Sequence, residues 1–291
     1  MAEPSPPQQP EPAPLRFAGR DGIALAADAW GDPSGPPVLL LHGGGQTRHA
    51  WGGTAAALAR AGWRAISLDL RGHGDSGWDP RGDYGVDAFV ADVRAVIAEI
   101  GGAPVLVGAS LGGITSLLAE AEAPESISRA LVLVDIAVRI EPEGALRIIA
   151  FMQARPEGFA SLEEAADQIA AYLPHRERPR DLRGLAKNLR RGADGRWRWH
   201  WDPLFLAPGH GPRPGQEGER MEAAARRLRV PTLLVRGKLS DLLSEEGARH
   251  FLALAPRARF ADVSDAGHMV AGDRNDRFTE AVASFLRELP R

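Results

Sequence analysis

Along this chain of 291 residues, short runs of consecutive apolar residues alternate with stretches in which apolar residues return every three or four positions. Pro37 to His42, PVLLLH, is such a run, and it is followed by glycines and the helical stretch TAAALARAG; WRAISLDL repeats the scheme. From Val86 to Ile100, the residues Val86, Phe89, Val90, Val93, Val96, Ile97 and Ile100 mark one face of a helix. PVLVG, 104–108, predicts the next strand, SLGGITSLLAEAE a helix and RALVLVD another strand. Strands that are apolar at every position are buried on both faces, so the pattern predicts an α/β fold with a mostly parallel sheet covered by helices on both sides. Ahead of this, LRFAGRDGIALAADAW predicts two short strands turning at Asp21-Gly22.

The rhythm stops after Asp135 and resumes at VPTLLVRG (230–237), ARFADV (258–263) and a helix over 274–289. Between them lie short amphipathic helices, many charges, a tryptophan cluster in GRWRWHWDP and the Pro/Gly-rich connector APGHGPRPGQEG. The chain therefore divides into a Pro-rich disordered leader (1–14), a first core segment (15–137), a helical cap or lid insertion (138–227) and a second core segment (228–291). Ligands of open α/β sheets bind outside the carboxyl ends of the strands, where this insertion leaves the core.

Composition narrows the chemistry. A hydrophobic content of 44% supports a large core, and a net charge of −3 offers no general attraction to nucleic acid. Arginines crowd from Arg176 to Arg198, but Glu177, Asp181 and Asp194 are interspersed, which reads as a solvated surface. Without cysteine there is no disulfide, thiolate catalysis or cysteine-bound metal, and no metal site is expected. The N-terminus lacks the charged and apolar regions of a secretory signal, and no segment has the ~18 consecutive apolar residues of a membrane span, so a cytoplasmic protein with no membrane partner is expected.

Gly108-Ala109-Ser110-Leu111-Gly112 fits G-x-S-x-G between an apolar strand and a helix, the setting that puts a serine at the tip of a sharp turn. A serine nucleophile needs a base oriented by a carboxylate. His268, in SDAGHMV, and Asp241, in RGKLSD, both follow predicted strands and give the order Ser, Asp, His; Met269 follows the histidine as a candidate pocket residue. Asp135 also ends a strand and is the rival acid, with Asp241 preferred because acid and histidine then follow consecutive strands. Asp262 and Asp265 read as turn residues, and His42, His73, His175, His200, His210 and His250 as structural. His42-Gly43-Gly44-Gly45 follows the strand VLLL, and its glycines let backbone N–H groups approach a substrate oxygen; Gly44 and Leu111 are the proposed oxyanion donors, with Gly43 beside them. Trp197, Trp199 and Trp201, three of the seven tryptophans, either wall an apolar pocket or glue the insertion to the core.

HGGG at 42–45, DLRGHGDS at 69–76, GASLGG at 108–113, the Gly237/Asp241 segment and AGH at 266–268 together resemble the α/β-hydrolase superfamily, in particular its capped members: serine esterases, C–C hydrolases and epoxide hydrolases. The resemblance spans nearly everything after the leader and implies the α/β-hydrolase fold and an enzyme that needs no cofactor. Epoxide hydrolases and haloalkane dehalogenases carry aspartate where Ser110 stands, so serine favours acyl transfer. The expected activity is hydrolysis of a small or medium, largely apolar carboxylic ester by a monomer or homodimer. Hydrolysis of a C–C bond in a diketone or dienoic acid, acyl transfer or perhydrolysis, and a ligand-sensing receptor on the same scaffold are the alternatives.

Overall fold

The computed structural model describes residues 11–174, 178, 180–213, 215–270 and 275–289. Eight strands form one sheet: β1 (Ala13–Ala18), β2 (Ala24–Trp30), β3 (Pro37–Leu41), β4 (Arg64–Leu68), β5 (Val105–Ala109), β6 (Ala130–Val134), β9 (Thr232–Gly237) and β10 (Arg259–Val263). Their order is β1-β2-β4-β3-β5-β6-β9-β10. The β1–β2 and β2–β4 pairs are antiparallel and all others parallel. The first hairpin turns where expected, with Asp21 and Gly22 both at positive φ. The expected leader runs two residues too far, because Ala13 and Pro14 already pair with β2; residues 1–10 lie outside the described residues.

Alternate residues of each central strand enter opposite cores, as a period of two dictates. Leu39, Leu41, Ile66, Leu106 and Leu131 face α2 (Val86–Ile100), α3 (Leu111–Ala121), α7 (Gly218–Arg227) and α8 (Glu245–Leu254). Val38, Leu40, Ala65, Val107 and Val132 face α1 (Gly52–Arg60) and the C-terminal α9 (Asn275–Arg287), through Leu58, Phe278 and Phe285. The strand side chains of both layers are buried, so the doubly covered sheet expected from consecutive apolar runs is what forms. Among the described residues, no helix is long and apolar enough to cross a membrane.

The insertion contains α4 (Pro142–Gln153), α5 (Leu162–Tyr172), α6 (Arg183–Ala186) and a small antiparallel pair, β7 (Leu189–Arg191) with β8 (Trp197–Trp199). The pair was not anticipated from sequence, because three residues per strand are too few for an alternating pattern to register. The insertion also ends earlier than residue 227. Met221, Ala224 and Ala225 of α7 join the main core, and Arg220 bonds Glu122 after α3 at 2.6 Å, so this helix packs as part of the core.

One buried ion pair sets the loop that follows β4. Arg71, fully buried, donates to both carboxylate oxygens of Asp92 on α2 at 2.6 and 2.7 Å, and Asp92 also accepts the N–H of Arg20 at 2.7 Å. Without Asp92 the buried guanidinium would keep the longer contact to Asp79 at 3.4 Å but lose its two short bonds, and breaking such a buried pair is strongly destabilising. Asp92→Asn is expected to lower unfolding free energy by about 3–5 kcal/mol. Urea titrations of wild type and variant check this; equal midpoints would show that the pair is not needed for the fold.

Candidate active site

Three neighbouring parallel strands end side by side, with Leu41 opposite Gly108 and Ala109 opposite Val134. The next residues are therefore His42, Ser110 and Asp135, grouped at one edge of the sheet. Ser110 has φ 47° and ψ −116°, in the left-handed half of backbone space that a side chain ordinarily avoids. The surroundings enforce it. A Cβ on Gly108 would strike the backbone of Gly112 and Gly113, and one on Gly112 would strike the carbonyls of Leu41 and His42. Glycine at both sites lets α3 start against β5 and the loop after β3, which turns the serine outward.

His268 follows β10 and donates from Nδ1 to Oδ2 of Asp135 at 2.8 Å. Asp135 is fully buried at φ 49°, and it also accepts the N–H of Gly237 at 2.9 Å and the hydroxyl of Ser240. These donors hold the carboxylate toward the histidine. Asp241, the acid preferred from the order of strands, does not reach His268. Its carboxylate, half-buried, instead takes an ion pair from the exposed Arg147 of α4. The reason is the turn after β9: Ser240 N–H bonds Gly237 O at 2.9 Å and the Ser240 hydroxyl turns in to Asp135, which sends the next residue outward.

Ser110, Leu111, Gly43, Gly44, His268 and Met269 all border one cavity of about 810 Å³. Much of the rest of its wall is apolar and comes from the insertion, with Ile148, Phe151 and Met152 of α4, then Trp199, Trp201 and Phe205, while Trp51, Val134, Ile136 and Val270 line it from the core. Trp199 and Trp201 stack with centroids 5.2 Å apart, as alternate residues on one face of an extended segment can. Trp197 is not part of this wall. Its backbone pairs with Phe159 and its ring lies under the guanidinium of Arg191. Sequence alone could not separate it from its neighbours, since all three share the alternation.

The glycine loop after β3 is held by three histidines. His42 donates from Nδ1 to Gly43 O at 2.8 Å and accepts the N–H of Leu70 at Nε2 at 3.0 Å. The carbonyl of Gly43 also accepts Gln46 N–H, and because it shares a planar trans peptide with Gly44 N–H, it fixes that N–H in the opposite direction. Gly43 N–H donates to the Gln46 side chain and Gly45 N–H to His73, so among the described hydrogen bonds the N–H of Gly44 is the one left uncommitted. Leu111 N–H lies in the first turn of α3, where a helix leaves its donors unpaired. His200, from the insertion, supplies the third contact with the loop, to Gly45 O. None of these histidine contacts was anticipated beyond a structural role; the signal available was the placement of His42 and His73 in glycine-rich turns.

Burial pushes His42 down to about 4 and His73 to about 3, and it holds His200 well below the usual histidine range. All three are neutral rings whose two nitrogens have fixed and opposite roles.

A model of the Alpha/beta hydrolase family matches residues 38–281. The chain is 31% identical over 274 residues to the esterase Rv0045c of Mycobacterium tuberculosis, covering 90% of this chain and 86% of that protein. It is 30% identical over 258 residues to a 3-hydroxybutyrate-oligomer hydrolase of Cupriavidus necator, covering 84% and 86% respectively. Among solved structures, an E-2-(acetamidomethylene)succinate hydrolase superposes with a TM-score of 0.80 at 25% identity, over 95% of this chain and 99% of that one.

The depressed histidines fix the sign of one pH effect. Unfolded, each ring binds its proton near pH 6.5; folded, His42 and His73 do so only near 4 and 3. Between these values the unfolded chain holds more protons, so stability is full above about pH 6.5 and falls as pH drops toward 4. Each such histidine adds a slope of up to about 1.4 kcal/mol per pH unit. Urea midpoints measured from pH 7.5 to 4.5 are expected to fall steadily below 6.5, and a flat profile would show that the rings protonate freely in the fold.

Proposed function

This chain belongs to the alpha/beta hydrolase family and is a hydrolase, and we propose that it cleaves carboxylic esters of medium size, with an apolar acyl or alcohol group, through an acyl-enzyme on Ser110. The observation that carries this reading is the convergence of a serine at a strained strand-to-helix turn and the His268–Asp135 pair on one largely apolar cavity. In the proposed reaction, Ser110 Oγ attacks the ester carbonyl while His268 Nε2 takes its proton, and His268 Nδ1–H stays bonded to Asp135. The N–H groups of Gly44 and Leu111 receive the oxyanion. His268 then protonates the leaving alcohol, and water attacks the acyl-enzyme by the same path in reverse. Esterases and hydrolases among the relatives support this class of reaction.

A cavity of about 810 Å³ falls at the upper end of the roughly 300–1,000 Å³ usual for small-molecule sites. It suits a chain of several methylenes better than an acetyl group. A second reading, hydrolysis of an anionic substrate at a C–C or amide bond, is favoured by Lys187 and Arg213 in the lining. Both are exposed, so an anionic group would sit at the mouth with an apolar portion beneath it.

With p-nitrophenyl esters from acetate to decanoate, Ser110→Ala is expected to reduce hydrolysis to background, with the optimum at an intermediate chain. Retention of turnover by that variant removes the serine mechanism. Asp135→Asn is expected to lower kcat by roughly 10³–10⁴-fold, whereas Asp241→Asn leaves kcat near wild type. The reverse ranking of the two aspartate variants would return the acid's role to Asp241.

A further inference from the structure

Among the described residues, the insertion hydrogen-bonds the loop after β3 at two points, Asn188 on Thr47 and His200 on Gly45, and only the second reaches the glycines. The extended segment through β8 directs Trp199 and Trp201 to the cavity wall, and the residue between them, His200, points the other way, into the core loops. Its ring is 1% exposed. Nδ1 accepts the N–H of Gly74 at 2.7 Å, which fixes the proton on Nε2, and Nε2 donates to the carbonyl of Gly45 at 3.3 Å. The ring lies 5.8 Å from His73 and edge-on to Trp201 at 5.4 Å.

Gly45 is therefore gripped on both sides, its N–H by His73 and its carbonyl by His200. It has no other room. Its φ is +75°, and a Cβ there would lie 2.8 Å from Met152 Cε and 3.4 Å from Trp201. Gly44 stands between this clamped residue and Gly43, whose carbonyl is held by His42 and Gln46 N–H. Among the described residues, three of the four groups acting on the glycines come from the loop itself or from the segment after β4, and His200 comes from the insertion.

We propose that His200 is a positioning residue that aligns the Gly44 N–H for the oxyanion through Gly45, so that the seating of the insertion sets the rate of the chemical step. This rests on the reading of Ser110 and Gly44 given above. The same segment is latched to the same core loop elsewhere: Asp202 N–H donates to Gly72 O at 2.8 Å, the Tyr84 hydroxyl donates to the Asp202 carboxylate at 2.5 Å, and Arg190 donates to Gly74 O. When the latch is seated, His200 is delivered to Gly45. A residue that served only to wall the pocket would act on substrates that fill the pocket, whereas a residue acting through Gly45 must act on every ester, including one too short to reach the tryptophans.

The test compares wild type, Ser110→Ala, His200→Phe and His200→Asn on p-nitrophenyl acetate and p-nitrophenyl octanoate, with thermal melts to show folding. Phenylalanine keeps the ring packing and loses both hydrogen bonds; asparagine keeps a short donor and acceptor. His200→Phe is expected to lower kcat by about 10- to 100-fold on both esters with KM unchanged, the scale of a misplaced catalytic group, and His200→Asn to recover part of the loss. Binding of a phenylboronic acid, whose tetrahedral adduct with the serine places an oxygen at the oxyanion position, should weaken by the same factor. A loss confined to KM for the octanoate, or an unchanged kcat for the acetate, overturns the proposal. If His200→Phe does not fold, His200→Ser is assayed with and without imidazole: a low kcat restored by imidazole supports the proposal, and a wild-type kcat overturns it. Full activity of Ser110→Ala would instead overturn the serine reading itself, which keeps the two failures apart.

Discussion

The close approach of backbone to backbone around Ser110 is the constraint on which the site depends. Gly108, Gly112 and Gly113 leave no space for a Cβ, so the strand end, the helix start and the loop after β3 meet at main-chain contact. Ser110 is forced to positive φ as a result, a conformation of the kind that costs on the order of 1–3 kcal/mol and persists only where neighbours over-determine it. Here the neighbours are layers of a sheet buried on both faces. The strength of that fold is what allows one unfavourable backbone position to be permanent, and the same crowding brings Leu111 N–H beside the glycine loop.

His42, His73 and His200 and the carboxylates of Asp69 and Asp135 obey one rule: each ring nitrogen or carboxylate oxygen is assigned to a backbone or side-chain partner. Asp69 accepts the backbone N–H of Arg48 at 2.6 Å and of Asp75 at 2.9 Å, and Ser76 ties Asp69 O to Ala26 N–H. Arg71, His73 and the glycines at 72 and 74 serve the same loop. The DLRGHGDS segment is scaffolding that reaches the glycine loop through His73 on Gly45, through Leu70 N–H on His42 and through Gly74 N–H on His200. Low dielectric makes such networks strong when complete and costly when one member is lost.

How much of this could be read in the sequence depended on whether the deciding contact was local. The strands, the helix over Val86–Ile100 and the turn at Asp21-Gly22 follow from periodicity and glycine alone. The strand-turn-helix around Ser110 and the loop position of His268 were equally legible, because each is decided within a few residues. Asp135 against Asp241 was not. Both end strands, and the choice rests on where one turn sends Ser240 and on an arginine from α4 nearly a hundred positions away in sequence. Trp197 failed for a similar reason, since its fate depends on pairing with Phe159 across the insertion. α7 carries a strong amphipathic pattern, but nothing in it says that the surface it covers is α3 in the core.

The insertion leaves the core just after Asp135 and returns at α7, and both its ends are fastened to the core, Glu141 N–H to Leu242 O at 2.9 Å beyond the carboxyl end of β9 and Arg220 to Glu122 at the far end of α3. The entropy of closing a loop between fixed ends grows only with the logarithm of its length, about 0.6 kcal/mol per doubling. Evolution can therefore lengthen, shorten or rebuild this segment at little thermodynamic cost. New substrate ranges can arise by exchanging the segment while the sheet beneath it stays unchanged, a division of labour that lets specificity drift faster than the fold.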